Sequence, residues 1–303
     1  MRPLLDMESI QIEITNACVR ECSNCTRLVG HAATPFFMTV EAFKAAVDSL
    51  VGYPRMIGMM GGEPLIHPKF EDMALYLKSR IPRERCGLWS TLPPGREHFA
   101  PLIADVFGNV LLNDHTYGEL YHSPILVSPS DLGMDEFVKW YHIDRCWVQN
   151  CWSASITPKG AFFCEVAAAI DMVFQGPGGW PVAPGWWKKT PKDYVEQMER
   201  YCNQCGASFP FRARKDTDVI DDISAGNLEK LSALNSPKIK RQKFALYQDG
   251  FIQDDFKINE FRQDESYAAA IAARYGLGLR PNAIGYQEPY LKELPGPSAG
   301  AKG

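Results

Sequence analysis

Three cysteines lie within eight residues near the start of the chain, directly after a segment that alternates apolar and polar side chains. Isoleucine alternates with glutamine and glutamate over residues 10–14, which predicts a β-strand. Cys18, Cys22 and Cys25 then form a CxxxCxxC array. Iron–sulfur clusters are held by cysteine thiolates, usually four, so a loop that supplies three leaves one iron free to bind a small molecule. The alternatives are a zinc site that lacks a ligand and a chance grouping of thiols.

The second motif is Gly61-Gly62-Glu63-Pro64, which follows an apolar segment, residues 55–60, that predicts a short buried strand. Glycines allow a backbone to approach a ligand closely, and proline ends the strand and stiffens the turn. Glu63 is a candidate charge-assisted acceptor beside that ligand. In isolation the four residues are typical of an ordinary turn, but here they follow the cysteine array by one strand–helix unit.

Together the two motifs resemble the signature of the radical S-adenosylmethionine (SAM) superfamily. The resemblance implies that the three cysteines hold a [4Fe–4S] cluster, that its open iron binds the amino and carboxylate groups of SAM, and that an electron from the cluster cleaves SAM to a 5′-deoxyadenosyl radical. It also implies that the Gly-Gly-Glu-Pro motif lines the pocket of the SAM amino group. The family commonly has an aromatic residue beside the adenine where this chain has Asn24. Asn24 is therefore a candidate cofactor-binding position, at which the adenine would be contacted by backbone atoms and by other side chains.

Strands and helices alternate through the first half of the chain, which favours parallel βαβ units. Helices are predicted at residues 39–51 and from Pro68, and further strands at 86–92, 109–113 and 124–128. Five or six such units fit before residue 145, too few for a closed eight-stranded barrel. We therefore predict an α/β fold with a partial (β/α) TIM-like barrel, the radical SAM core, over residues 1–145.

Ligands of such barrels bind at the C-terminal ends of the strands. Ser90 and Thr91 end the third predicted strand, and Asn113 and Asp114 end the fourth. By the resemblance, these polar residues bind the ribose and carboxylate of SAM. The alternative is structural, because Ser, Thr, Asn and Asp often end strands for the sake of the turn.

A second group of cysteines follows. Cys146 precedes a predicted β-hairpin around residues 158–160, Cys164 ends that hairpin, and a helix from Pro191 leads to Cys202 and Cys205. The pattern resembles the twitch domain, the short form of the SPASM extension of radical SAM enzymes. It implies a twitch domain over residues 146–210 with an auxiliary [4Fe–4S] cluster on these four cysteines. A structural zinc site on the same thiolates is the alternative.

Two further cysteines have no assigned ligand role. SPASM-like patterns place the first ligand well before the hairpin glycine, which favours Cys146 over Cys151. Cys86 and the cysteine left over from that pair are expected to be packed, inert thiols, and the alternative is a hydrogen-atom donor or a substrate-side residue. Residues 211–303 form a C-terminal extension with helices predicted at 227–234 and 266–275 and a disordered tail from residue 294.

Composition limits the class of protein. The chain has 303 residues, a net charge of −4 and nine cysteines. The acidic balance disfavours nucleic acid as a partner, and the basic run at 238–243 is expected to be a solvated face. The N-terminus lacks the apolar core of a signal peptide, and no stretch is long and apolar enough to span a membrane. The cysteine spacings are typical of metal sites rather than of disulfides, which favours a location in the reducing cytoplasm.

Two clusters suit an alcohol oxidation, because the first starts radical chemistry and the second, fully ligated, can accept the leftover electron. Over residues 8–206 the motif order resembles 2-deoxy-scyllo-inosamine dehydrogenase-like enzymes. The resemblance implies a flavodoxin or ferredoxin-type electron donor. The first strand begins about ten residues in, which leaves no room for a leader-binding domain and favours a small substrate such as a sugar, cyclitol or nucleoside. The alternatives are a radical SAM epimerase with a cysteine hydrogen donor, an RNA- or peptide-modifying radical SAM enzyme, and a non-enzymatic cysteine-rich metal protein.

Overall fold

The fold is known from a computed structural model, which describes residues 1–113 and 120–248. In chain order, the strands and α-helices of these ranges are β1 (Ser9–Thr15), α1 (Val40–Ser49), β2 (Met56–Gly61), α2 (Phe70–Arg80), β3 (Cys86–Ser90), α3 (Ala100–Val106), β4 (Asn109–Leu112), β5 (Tyr121–His122), α4 (Glu136–Asp144), β6 (Ser153–Thr157), β7 (Gly160–Phe162), α5 (Glu165–Val173), α6 (Val195–Cys202), β8 (Arg214–Lys215), β9 (Asp221–Ile223), α7 (Ala225–Ala233), α8 (Pro237–Lys240) and β10 (Phe244–Leu246).

A six-stranded sheet forms the centre of the described chain, in the order β4-β3-β2-β1-β6-β7. The first five of these strands are parallel to their neighbours, and only β7 runs antiparallel, beside β6. The predicted α/β class with a parallel sheet is therefore confirmed. Successive βα units produce this order because each helix returns the chain to the same end of the sheet.

The helices form where the apolar spacing predicts them. Thr39 caps α1 by accepting a hydrogen bond from the backbone N–H of Ala42 at 3.1 Å, and Phe43 and Val47 turn a buried face to the core. The isoleucines of β1 are fully buried in the same apolar cluster. Burial of this stripe against the sheet is the main source of stability for helices of this length.

The predicted fifth strand at residues 124–128 is wrong. Leu126 makes only an isolated bridge to Ile223, and the fifth strand of the described chain is instead β5, paired antiparallel with β8. The backbone carbonyls of Ile125 and Leu126 accept hydrogen bonds from Gly206 and Ser224. Residues 125–127 have the buried, apolar character of a strand, but loop backbone from the C-terminal half of the described chain lies where a strand partner would be.

The hairpin predicted around residues 158–160 forms and extends the main sheet, but its second strand ends at Phe162, and Cys164 lies at the start of α5 instead of ending the hairpin. β6 lies parallel to β1, with Ser9 opposite Ser153 and Ile12 opposite Ile156, before β7 turns back. The cysteines of the second group thus lie on elements attached to the same sheet as those of the first. The predicted helix at 266–275 and the tail lie outside the described residues. Within the described ranges, no helix is long and apolar enough to cross a bilayer.

Candidate active site

The cysteine loop follows the C-terminal end of β1, at the edge of the sheet where the sequence predicted it. Cys18, Cys22 and Cys25 are free thiols, each partly buried. Burial, with a smaller contribution from the neighbouring thiols, raises the pKa of Cys18 and of Cys22 to about 12. The mutual effect shows that the three sulfurs lie near one another. Metal ligation requires the thiolate form, so a metal centre bound by these cysteines would displace their protons.

The Gly-Gly-Glu-Pro motif is joined directly to this loop through the backbone. Gly62 N–H donates to the carbonyl of Thr15 at 2.8 Å, and Glu63 N–H donates to the carbonyl of Ala17 at 2.8 Å. A Cβ at Gly61 would lie 1.9 Å from the Thr15 oxygen, and one at Gly62 would lie 2.1 Å from the Ala17 oxygen. The two glycines are therefore required because no side chain fits between the motif and the cysteine loop.

The carboxylate of Glu63 is fully buried and fully hydrogen-bonded. Its Oε1 accepts from Ser90 Oγ at 2.7 Å and from the N–H of Leu65 at 3.1 Å, and its Oε2 accepts from the N–H and Oγ1 of Thr91 at 2.9 and 2.7 Å. Pro64 begins the short 3₁₀ turn that carries the Leu65 donor. All four donors are neutral, so they orient a negative charge without cancelling it. That charge also raises the pKa of Cys18, after burial and the Cys25 thiol, which places it beside the cysteine loop.

The other residues predicted to contact SAM lie at the ends of β3 and β4. Ser90 and Thr91 meet at Glu63, as just described. Asn113 follows β4, and its backbone N–H donates to the carbonyl of Ser90 at 2.9 Å, which brings the two strand ends together. Asp114 lies outside the described residues.

Asn24 turns its side chain into the protein. Its Nδ2 donates to Asp222 Oδ2 at 2.9 Å, and its Oδ1 accepts from the N–H of Asp222 at 2.8 Å. The backbone of Asn24 is left-handed, with φ of 49°, a conformation that asparagine tolerates better than most residues. Asn24 thus joins the cysteine loop to β9 through both ends of its side-chain amide.

A buried charged network from the C-terminal half of the described chain holds the same loop. Asp221 Oδ1 accepts from the N–H of Asn24 at 2.6 Å and from Lys238 Nζ at 2.9 Å, and its Oδ2 lies 2.7 Å from His31 Nε2. Lys238 Nζ also donates to the carbonyl of Cys22 at 3.1 Å. Burial raises the pKa of Asp221, but the hydrogen bond with His31 and the charge of Lys238 outweigh it and leave the pKa below its ordinary value.

This network corrects the expectation that residues 238–243 form a solvated face. Lys240 and Arg241 are exposed, but the side chain of Lys238 is completely buried. Sequence reasoning missed it because a basic run looks the same whether one of its lysines points inward or outward. The usable signal is the acidic pair Asp221-Asp222 on a short strand, since buried carboxylates require partners.

The second group of cysteines also comes together. Cys146, Cys164, Cys202 and Cys205 line one cavity, which has apolar walls from α4 and α5. Burial raises the pKa of Cys164 and Cys202 well above the ordinary value and that of Cys205 to about 12, and neighbouring thiols of the group add to each shift. The structure does not describe the side chain of Cys151.

Neither group has the form of a single-ion site. Among residues 1–113 and 120–248, no three His, Cys, Asp or Glu side chains are arranged so that they could hold one metal ion.

A buried ion pair connects the two cysteine groups. Arg27 Nη2 lies 2.5 Å from Glu165 Oε1, and both side chains are almost completely buried. Arg27 follows Cys25 by two residues, and Glu165 directly follows Cys164. Breaking such a pair on one side is costly because the other charge stays buried. The pair therefore fixes one cysteine group relative to the other.

Comparisons with known proteins yield limited similarity. No protein-family model matches the chain, and no curated protein matches it. Among solved structures, BtrN in complex with AdoMet and 2-DOIA is similar at 16% identity and a TM-score of 0.43, covering 65% of this chain and 88% of BtrN. SuiB of Streptococcus suis bound to S-adenosylmethionine has 10% identity and a TM-score of 0.30, covering 80% of this chain and 50% of SuiB. Each TM-score is below 0.5, so the function proposed below rests on the residues of this chain.

Proposed function

We propose that this chain is a radical SAM enzyme that oxidises an alcohol group of a small molecule. The observation that carries the proposal is the backbone junction between the Gly-Gly-Glu-Pro motif and the cysteine loop. Two short hydrogen bonds and two glycines without room for a Cβ place a buried carboxylate beside three neighbouring thiols. This arrangement fits a three-thiolate cluster with a cofactor that carries an amino group next to it.

In this proposal Cys18, Cys22 and Cys25 hold the first [4Fe–4S] cluster, and the Gly-Gly-Glu-Pro motif lines the pocket of SAM. When bound, cluster and SAM together supply a radical that abstracts hydrogen. The chain contributes orientation: Ser90 and Thr91 hold the Glu63 carboxylate in one position, where its charge favours an ammonium group. The Gly61 and Gly62 backbone keeps the loop in place.

The dehydrogenase assignment is supported by the second cysteine group. Four thiols around one cavity, Cys146, Cys164, Cys202 and Cys205, suit an auxiliary [4Fe–4S] cluster that has no open iron and serves as an electron acceptor. We further propose a partial barrel over residues 1–145, a twitch-type unit over 146–210, and a flavodoxin or ferredoxin-type electron donor.

Anaerobic reconstitution with iron and sulfide counting tests both clusters. We expect about eight iron atoms per chain in the wild type, and about four after Cys18, Cys22 and Cys25 are all changed to Ala. The matched control is Cys86→Ala, because Cys86 is a buried thiol of β3 outside both groups, and it should keep all the iron. Stoichiometric zinc in place of iron would contradict the proposal.

Release of 5′-deoxyadenosine tests the cofactor. Dithionite-reduced wild type and Cys86→Ala should form it from SAM, and the first-loop triple variant should form none. A variant with Cys146, Cys164, Cys202 and Cys205 changed to Ala should keep about four irons and still cleave SAM. If the first-loop triple variant released as much 5′-deoxyadenosine as the wild type, the assignment of SAM to that loop would be wrong.

A further inference from the structure

The buried ion pair of Arg27 and Glu165 joins the loop of the first cysteine group to the helix of the second. Arg27 follows Cys25 by two residues, and its Nη2 lies 2.5 Å from Glu165 Oε1. Its Nη1 also donates to the backbone carbonyl of Glu165 at 3.3 Å. Cys164 is the N-cap of α5 and Glu165 is its first residue. The guanidinium is therefore held beside the residue that follows Cys164, while its own backbone belongs to the loop of Cys25.

The surroundings of this pair exclude water. Both side chains are almost completely buried. After Glu165, the same helix contributes Val166, Ala167 and Ile170 to the wall of the cavity that the second cysteine group lines. Charges in such an apolar region act more strongly on their neighbours than surface charges do, because solvent and salt do not screen them.

The charge of Arg27 reaches one thiol of each group. Burial lowers the pKa of Arg27, but the charges of Glu165, Glu13, Cys25 and Cys164 outweigh burial and leave the pKa above its ordinary value. Arginine is protonated at every pH that a protein tolerates. Its positive charge is therefore a fixed feature of the region between the two cysteine groups.

One donor of Arg27 has no acceptor within the described part of the chain. Glu165 is satisfied on both sides, since its Oε2 accepts from Ser153 Oγ. Arg27 Nε, in contrast, is buried and makes no hydrogen bond to any described residue. Buried donors without an acceptor are rare. The sulfur atoms of an iron–sulfur cluster are acceptors that the polypeptide alone does not supply.

A fixed charge beside a cluster alters its reduction potential. Reduction adds one negative charge to a cluster, so a nearby positive charge makes reduction easier and a nearby negative charge makes it harder. Hydrogen bonds to the sulfurs act in the same direction as a positive charge. The intact pair of Arg27 and Glu165 is neutral, so removing either partner leaves a net charge of opposite sign.

We propose that the Arg27–Glu165 pair tunes the reduction potentials of both clusters, with Arg27 favouring the reduced state of each and Glu165 opposing it. Because one pair adjoins Cys25 and Cys164, a substitution in it should move the two potentials in the same direction. This inference rests on the proposed function, since it requires a cluster on each cysteine group.

Redox titration monitored by electron paramagnetic resonance tests the proposal on the full chain, reconstituted anaerobically without SAM. Each cluster is measured alone, in the variants that lack the cysteines of the other group. The titration is run at pH 6, because burial raises the pKa of Glu13 to about 7 and keeps this neighbour mainly uncharged there. At the wild-type midpoint, Arg27→Met should lower the ratio of reduced to oxidised cluster about tenfold, a shift of about 59 mV. Glu165→Gln should raise that ratio.

The matched control is Arg55→Met, because Arg55 pairs with Glu8 at 3.1 Å on the exposed surface. It should move neither potential. Shifts of Arg27→Met and Glu165→Gln in the same direction, or shifts no larger than that of Arg55→Met, overturn the proposal.

The double variant Arg27→Met/Glu165→Gln separates charge from loss of structure. It leaves no net charge, so both ratios should return to within about threefold of the wild type. Replacing both partners of a buried pair is also tolerated better than removing one. If Arg27→Met alone does not fold, a fall in both ratios from Glu165→Gln to the double variant supports the proposal, and equal ratios overturn it.

Iron counting on the same samples separates this outcome from a failure of the proposed function. A wild type without iron–sulfur clusters would remove the radical SAM assignment and this inference with it. Two clusters whose potentials ignore Arg27 and Glu165 would retain the enzyme and leave the pair with a structural role alone.

Discussion

Replacing Lys238 with methionine would remove the charge that joins the C-terminal half of the described chain to the cysteine loop. The Lys238 side chain is completely buried, with Nζ at 2.9 Å from Asp221 Oδ1 and 3.1 Å from the carbonyl of Cys22. Methionine has a similar volume and fills the same space, so packing changes little. The perturbation is therefore mainly electrostatic.

The expected loss follows from the contacts that remain. Removing one partner of a buried ion pair costs about 3–5 kcal/mol, because the other charge is left uncompensated. His31 Nε2 still lies 2.7 Å from Asp221 Oδ2 and offsets part of the loss, which places the expectation at about 3 kcal/mol. With a urea m-value of about 2–3 kcal/mol/M, the unfolding midpoint should fall by about 1–1.5 M.

Lys240→Met is the matched control, because Lys240 belongs to the same short helix and is exposed. Urea unfolding of both variants and the wild type measures the difference, and the control should stay within about 0.5 kcal/mol of the wild type. Iron counting gives an independent readout: Lys238→Met should lose iron from the first cluster and keep the auxiliary one. Equal urea midpoints for the two variants would refute the role of the buried pair.

Three further predictions concern substitutions of single residues. Burial raises the pKa of Glu13 from 4.5 to about 7; the charge of Arg27 lowers this pKa and that of Glu165 raises it. Because the folded protein resists ionisation of Glu13, the stability of the wild type should fall as pH rises from about 4.5 to 7. Glu13→Gln should remove that slope and raise stability at pH 8 by about 3 kcal/mol, measured by urea unfolding at pH 5 and pH 8; an unchanged slope would contradict the burial argument. Gly62→Ala places a Cβ 2.1 Å from the Ala17 carbonyl oxygen, so the variant should bind about four fewer irons on reconstitution. Full iron retention would show that the backbone can shift to accommodate the methyl group. Cys146→Ser should lose the auxiliary iron and Cys151→Ser should keep it; the opposite result would exchange their roles.

The motifs and the parallel strands were predictable because their signals are local. The alternation of β1, the Thr39 cap and the apolar stripe of α1 are each contained in a few consecutive residues. The cysteine spacings are local as well, and the structure brings both predicted groups together. The predicted strand at 124–128 was wrong because strand formation also depends on a distant partner, which the local pattern does not show. In the structure, the backbone N–H groups of residues 206 and 224 donate to the carbonyls of this segment in place of a neighbouring strand.

The role of the C-terminal extension was hidden for the same reason. Asp221 and Lys238 are separated from the cysteine loop by about 200 residues, yet they hold its backbone. A buried lysine is indistinguishable in sequence from an exposed neighbour such as Lys240. The ion pair of Arg27 and Glu165 is equally invisible, because its partners come from two separate cysteine segments.

The sequence by itself predicted which residues are candidate metal ligands, roughly where the first four strands lie, and that these strands run parallel. The tertiary structure alone decided how those residues are held: Glu63 by Ser90 and Thr91, Asn24 by Asp222, and the cysteine loop by Lys238 and Asp221. The physical reason is that periodicity and spacing act over a few residues, whereas the role of a buried charge depends on the distant groups that surround it.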